Sequence, residues 1–246
     1  MGRRIGARRS AAELVLPSPN IWHWPVVYEL ENQAQDVTGA VWRALRETFD
    51  WSGRDVLDIG CGDGFHLPMF AATAATVTGV EPYEPLVRRA CARVAGLDHV
   101  RVRPGGAQRL PLPDASVDLA HARTAYFFGP GCEPGIAEAD RVLRPGGALV
   151  IVDLDVSCPP YGDWMLADLP RYDPEGVERF FAESGFDSRP VATLWRFADR
   201  ASLESVFRIE FSAPVARRAI ADTPGLTIPV GYRLRTRRKP AGLVLG

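Results

Sequence analysis

From Arg54 onward short apolar runs alternate with longer amphipathic stretches, a pattern that predicts a parallel sheet covered by helices. Five runs are continuous enough for strands buried on both faces: residues 55–59, 76–80, 100–103, 117–122 and 148–152. Helical spacing falls between them at 65–72, 85–95 and 133–143, the last ended by Arg144-Pro-Gly-Gly147. After a loop over 154–172, Asp173 and Pro174 supply an N-cap and a first-turn proline for a helix ending at Gly185. Residues 189–197 and 227–237 read as strands enclosing one helix at 201–221, a β-α-β finish. The expected fold is α/β, a doubly wound, mostly parallel seven-stranded sheet of the Rossmann-like kind.

Ahead of Trp51 no strand pattern is visible. Pro17, Pro19 and Pro25 interrupt the chain, and Leu30, Ala34, Val37, Val41, Leu45 and Phe49 then keep helical spacing across 29–49. Residues 1–50 therefore read as an N-terminal arm and helical cap, folding as one unit with a domain at 51–246. A net charge of −1 offers no global field for nucleic acid or an anionic membrane. No apolar run reaches the ~18 residues of a spanning helix. The arginines of the first ten residues precede no apolar segment, and Gly6 departs from the myristoylation pattern, so a basic arm is preferred over a signal, although the acid-poor start also resembles an organelle transit peptide. Cys61, Cys91, Cys132 and Cys158 have neither paired spacing nor flanking histidines, which suits reduced thiols in the cytoplasm and indicates no zinc site. Lys239 is the single lysine among abundant Arg, Ala, Gly and Pro, as a GC-rich bacterial coding sequence would produce.

The first chemistry appears at Val56-Leu-Asp-Ile-Gly-Cys-Gly-Asp-Gly64, where three alternating glycines follow an apolar strand. Without Cβ atoms a ligand can approach that backbone closely, although a tight turn without a ligand has the same look. Glu81 stands twenty-one positions past Gly60 at the end of the second strand, where doubly wound folds place an acid on ribose hydroxyls. A nicotinamide dinucleotide is disfavoured, because its fingerprint needs a third glycine where this chain has Phe65.

With these motifs in order the chain resembles the class I S-adenosylmethionine-dependent methyltransferases, especially small bacterial enzymes acting on ubiquinone precursors, sterols and secondary metabolites. The resemblance spans 51–153 and includes Ala107-Gln-Arg-Leu-Pro-Leu-Pro-Asp-Ala-Ser-Val-Asp-Leu119 and Arg141-Val-Leu-Arg-Pro-Gly-Gly147. It implies S-adenosyl-L-methionine as cofactor, the methionine part carried by Asp58, Gly60, Cys61 and Gly62, the ribose by Glu81 with Pro82 alongside, and the adenine flanked by Ala107 and Gln108. The family's usual acid before position 107 is replaced by Gly106, which leaves the adenine amino group to Gln108 or a backbone carbonyl. The implied reaction is methyl transfer to a small-molecule acceptor at oxygen, nitrogen or carbon. The alternatives are a fold relative performing cyclisation or aminopropyl transfer, or a non-catalytic partner subunit.

The open-sheet rule places the active site beyond the carboxyl ends of the strands, near His121, Arg123, Tyr126 and Phe127. His121 is the first candidate for a general base and for lining the cofactor; His23, among Trp22, Trp24 and Tyr28, is the second candidate base. His66 and His99 read as structural or exposed. Asp153 and Asp155 offer hard oxygen ligands for Mg²⁺ but no third ligand, so no metal is expected. Arg233, Arg235 and Arg237 alternate on one strand face, read as a solvated outer face, with RNA or an acidic partner as the rival reading. Monomer and homodimer both remain open.

Overall fold

The computed structural model describes residues 18–242. In chain order the elements are α1 (Pro19–His23), α2 (Pro25–Ala34), α3 (Ala40–Thr48), β1 (Asp55–Ile59), α4 (Leu67–Ala71), β2 (Thr76–Glu81), α5 (Glu84–Arg93), β3 (Val100–Pro104), β4 (Val117–Arg123), α6 (Glu133–Val142), β5 (Leu143–Leu154), α7 (Tyr161–Asp168), α8 (Pro174–Glu183), β6 (Asp187–Arg196), α9 (Arg200–Glu210), α10 (Ala213–Asp222) and β7 (Thr227–Arg238). The seven strands form one sheet in the order β3-β2-β1-β4-β5-β7-β6. Every pairing from β3 to β5 is parallel, and β7 runs antiparallel to both β5 and β6. The direction of the strand order reverses between β1 and β4, the switch point where open sheets of this kind bind ligands.

Both sheet faces are covered, which is why the central strands read as unbroken apolar runs. One core gathers Val56, Phe70, Leu119, Val150 and Tyr232, and the other gathers Leu57, Ile59, Ala120, Ile151 and Phe181. Alternate residues of the same strands thus feed opposite cores.

Three expectations about elements are corrected. The helical spacing over 29–49 is divided between two helices, because Asp36 and Gly39 take positive φ and Asp36 then accepts hydrogen bonds from the Val41 and Trp42 N–H groups and from Thr193. The helix over 201–221 also divides, with Pro214 in the first turn of α10, where its missing N–H costs nothing. The loop over 154–172 contains α7, whose Tyr161 and Trp164 are buried among Trp195, Phe207 and Phe211. By contrast α6 stops at Val142, close to its expected end, and Arg144-Pro-Gly-Gly147 forms the irregular start of β5, where the pairing steps from Val117–Leu143 to Leu119–Ala148.

Pro19 and Pro25, read as interruptions, sit at helix starts. The cap helices are tied down at several points. Asn20 donates to Glu210 at 2.6 Å, Glu29 pairs with Arg93 at 2.6 Å, and the Val37 N–H donates to the Leu194 carbonyl at 3.1 Å. Among the described residues no helix is long and apolar enough to cross a membrane. The N-terminal arm reading for the first ten residues lies outside the described residues.

Candidate active site

A cavity of about 310 Å³ opens at the carboxyl ends of the strands, between the glycine turn and the cap helices. Its floor is the turn itself. Gly60 has φ +73° and Gly62 φ +58°, and Cβ atoms there would come within 2.6 Å of the Ala125 Cβ and 2.9 Å of the Ile21 Cδ1, so the turn requires glycine at both places. The Gly60 and Cys61 N–H groups donate to the Val80 carbonyl, which pins the turn to β2.

Glu81 ends β2 beside this turn and is 4% exposed. Its Oε2 accepts from the Gly62 N–H at 3.1 Å and its Oε1 from the Tyr83 N–H at 2.9 Å. Burial raises the carboxyl pKa while these two N–H groups oppose the rise. Each oxygen keeps acceptor capacity for a hydroxyl pair, and the carboxylate is presented in one fixed orientation. Pro82, Gly106, Ala107 and Gln108 continue the wall away from it. Cys61 also lines the cavity, and burial together with the charges of Asp58 and Glu81 drives its thiol well up, so the thiol stays protonated.

The roof comes from the cap. Trp22 stacks on Tyr83, ring centroids 4.3 Å apart and planes 16° from parallel, which fastens α1 to the loop after Glu81. Arg93 bridges Glu29 of the cap to Asp63 of the glycine turn, at 2.6 and 2.9 Å. Cap and turn are therefore coupled mechanically.

Tyr28, Asn32, Gln35, Arg123 and Thr124 form a polar wall. Arg123 donates to the Gln35 Oε1 at 2.8 Å, and Gln35 donates in turn to the Glu31 Oε1 at 2.8 Å. Glu31 is 3% exposed, and its Oε2 has no ordinary donor among the described residues. Burial, followed by the neighbouring Glu210, pushes the Glu31 pKa well up.

The histidines are not where the sequence suggested. His121 is 1% exposed and does not line the cavity; its Nδ1 lies 2.7 Å from the Asp58 Oδ1 and its ring stands edge-on to Phe70. Asp58 is its parallel neighbour in register, 3% exposed and likewise absent from the lining. The pair sits on the sheet face that α4 covers, and Arg123, two positions further along the same face, is the first residue of β4 to clear that cover. His23 is exposed and outside the cavity, because α1 turns Ile21 and Trp22 inward instead. His66 is the histidine that lines the cavity. Burial and the nearby charge of Arg123 hold its pKa well below the usual value, leaving a neutral imidazole at pH 7. Phe127 is buried in the core, whereas its neighbours Tyr126 and Phe128 face the cavity.

The charged residues set apart by the sequence pair with one another. Arg233 meets Asp155 at 2.9 Å, Arg235 meets Glu178 at 2.6 Å and Asp153 at 3.9 Å, and Arg237 meets Asp140 at 2.5 Å. Arg235 is 3% exposed, so the solvated-face reading of that strand is corrected: α8 packs over it. Among the described residues no group of three or more His, Cys, Asp or Glu is placed to hold a metal ion.

Comparison with known proteins decides between ligands for such a cavity. Residues 57–151 match the family model described as a methyltransferase domain. A probable S-adenosylmethionine-dependent methyltransferase of Mycolicibacterium smegmatis is 30% identical over 70% of this chain and 67% of its own length. The 27-O-demethylrifamycin SV methyltransferase of Amycolatopsis mediterranei is 30% identical over 77% of this chain and 78% of its own. This chain belongs to the S-adenosylmethionine-dependent methyltransferase family. The fold agrees: the YcgJ protein of Bacillus subtilis superposes with a TM-score of 0.59 at 19% identity, covering 81% of this chain and 98% of that one.

The residues of this methyltransferase fit S-adenosylmethionine. The turn leaves backbone uncovered where a Cβ would intrude, Glu81 offers two oriented acceptors for a ribose diol, and Ala107 and Ile59 supply apolar wall for an adenine. The polar wall on α2 and β4, apart from Arg123 and Tyr28, was missed by sequence reasoning. Its signal was faint, since Asn32 and Gln35 are polar residues on and just past an amphipathic helix that has an outer face as well.

Proposed function

We propose that this methyltransferase binds S-adenosylmethionine along Gly60, Cys61, Gly62, Glu81, Pro82, Ala107 and Gln108 and methylates a small molecule that enters beneath the cap helices. The observation carrying this reading is Glu81, a buried carboxylate whose two oxygens are each oriented by a backbone N–H toward a glycine-floored cavity. When bound, the cofactor supplies an electrophilic methyl group on a sulfonium. The protein's own part is positioning: the rigid turn, Glu81 and the stacked roof of Trp22 and Tyr83 hold one partner while the α2 wall orients the other.

Asp58 and His121 serve as a buried brace beneath the turn rather than as cofactor or acceptor contacts. An acceptor that must lose a proton has His66 as its base, a neutral imidazole lining the same cavity. Residues 18–50 act as the cap over a catalytic unit that begins at residue 51. The small-molecule reading over nucleic acid rests on the pairing of Arg233, Arg235 and Arg237 with acids.

Calorimetric titration of the full chain with S-adenosylmethionine, S-adenosylhomocysteine and a nicotinamide dinucleotide tests the cofactor. Micromolar binding of the first two is the expected result. Binding of the dinucleotide alone overturns the reading.

A further inference from the structure

The polar wall holds a cation that no carboxylate of the described residues touches directly. Arg123 is 9% exposed, and an arginine side chain carries a fixed positive charge. Among the described residues no carboxylate oxygen lies within ion-pair distance of it, although Arg54, Arg93, Arg141, Arg144, Arg233, Arg235 and Arg237 all have such partners. Its neighbours are neutral: the Gln35 amide oxygen at 2.8 Å, and Tyr232, whose hydroxyl accepts from it and whose ring centroid lies 4.9 Å from the Cζ. Glu31, the acid that acts on it from a distance, is driven toward its neutral form by burial and Glu210. A largely desolvated cation is costly unless something answers it, and Arg123 lines the cavity.

The topology says which guest meets it. The groups assigned to the donor stand at the ends of β1, β2 and β3, whereas Arg123 ends β4 on the other side of the switch point. The same cavity is lined by Tyr28 and Asn32 of α2, by Gln35 just past its end, and by the apolar side chains of Ile21, Phe65 and Phe128. We propose that Arg123 receives an anionic oxygen of the methyl acceptor, so that the acceptor is an organic acid with an apolar body, its charge coming from a carboxylate or an ionised acidic hydroxyl. The proposal rests on the methyltransferase reading above and adds the acceptor's chemical class to it.

The test uses the full chain saturated with S-adenosylhomocysteine and two matched probe pairs, benzoate against benzamide and 4-nitrophenolate against 4-nitroanisole, with binding followed by ligand-observed NMR. The pair that discriminates identifies carboxylate or ionised hydroxyl as the source of the charge. At least one anion should bind about tenfold or more tighter than its neutral partner. Arg123→Met should erase that preference and Arg123→Lys should keep part of it. Gln35→Glu, which puts a carboxylate against the guanidinium without removing it, should erase the preference too and covers the case in which Arg123→Met fails to fold. Binding of S-adenosylhomocysteine should stay within about threefold of the wild type in each folded variant. Equal binding of anions and neutral partners by the wild type, or an anion preference that survives both Arg123→Met and Gln35→Glu, overturns the proposal. So does a loss of S-adenosylhomocysteine affinity in Arg123→Met of about tenfold or more, because the guanidinium would then serve the donor's own carboxylate. Failure of the wild type to bind S-adenosylhomocysteine at all overturns the methyltransferase reading instead, which separates the two failures.

Discussion

Glu81→Ala is the substitution from which most can be learned. The carboxylate is 4% exposed and already oriented by the Gly62 and Tyr83 N–H groups, so little ordering remains to be done when a ribose diol arrives. Each hydroxyl bonded to a charged carboxylate contributes about 1.5–3 kcal/mol, and two of them about 3–6 kcal/mol. The two backbone N–H groups released by the substitution turn toward water in the open cavity and offset nothing. S-adenosylhomocysteine should therefore bind at least about a hundredfold more weakly, read by calorimetry on protein whose near-UV circular dichroism matches the wild type. A 2′-deoxyribose analogue separates the hydroxyl contacts from a general loosening of the turn. The wild type should penalise it about tenfold or more, and the variant should bind both ligands equally. An alanine variant within about threefold of wild-type affinity, or one that still penalises the deoxy analogue in full, would refute the ribose role of Glu81.

Gly60→Ala should destabilise the fold and weaken cofactor binding more than Gly62→Ala in denaturant titrations and calorimetry, since its Cβ meets the Ala125 Cβ at 2.6 Å whereas the other meets the mobile tip of Ile21 at 2.9 Å; equal effects would contradict the geometry. His121→Ala leaves Asp58 as an unpaired buried charge, so unfolding free energy should fall by about 3–5 kcal/mol, and a loss below about 1 kcal/mol would argue against the brace. Glu31 has a raised pKa in the folded protein, so its contribution is present below the unfolded carboxylate value of ~4.3 and is lost as pH rises through the folded value. Glu31→Gln mimics the protonated form, and its melting temperature relative to the wild type should rise as pH climbs from ~4.3 through the folded value and then level off; a pH-independent difference would contradict the raised pKa. His66 works in the opposite sense, its stabilisation being lost as pH falls through the unfolded histidine value of ~6.5, which is why the comparison is between the variant and the wild type.

What the sequence determined by itself is the part of the molecule governed by local pattern. The strands at the centre of the sheet were legible because burial on both faces forces unbroken apolar runs, as in Val56–Ile59 and Ala148–Val152. The glycine turn and Glu81 were legible because a close ligand approach dictates residue types at fixed spacing along one βαβ unit. Tertiary structure decided the rest. His121 and Arg123 share one face of β4, yet only the packing of α4 determines that the first is buried against Asp58 while the second reaches the cavity. His66 lies just before α4 and carried no pattern that set it apart from a surface histidine. The break at Asp36 depends on Thr193, which is remote in sequence, and the raised pKa of Glu31 depends on α9 docking against α2. Periodicity records which face of an element is buried, but the environment of a polar side chain is set by elements far away in the chain, and so is the chemistry it can perform.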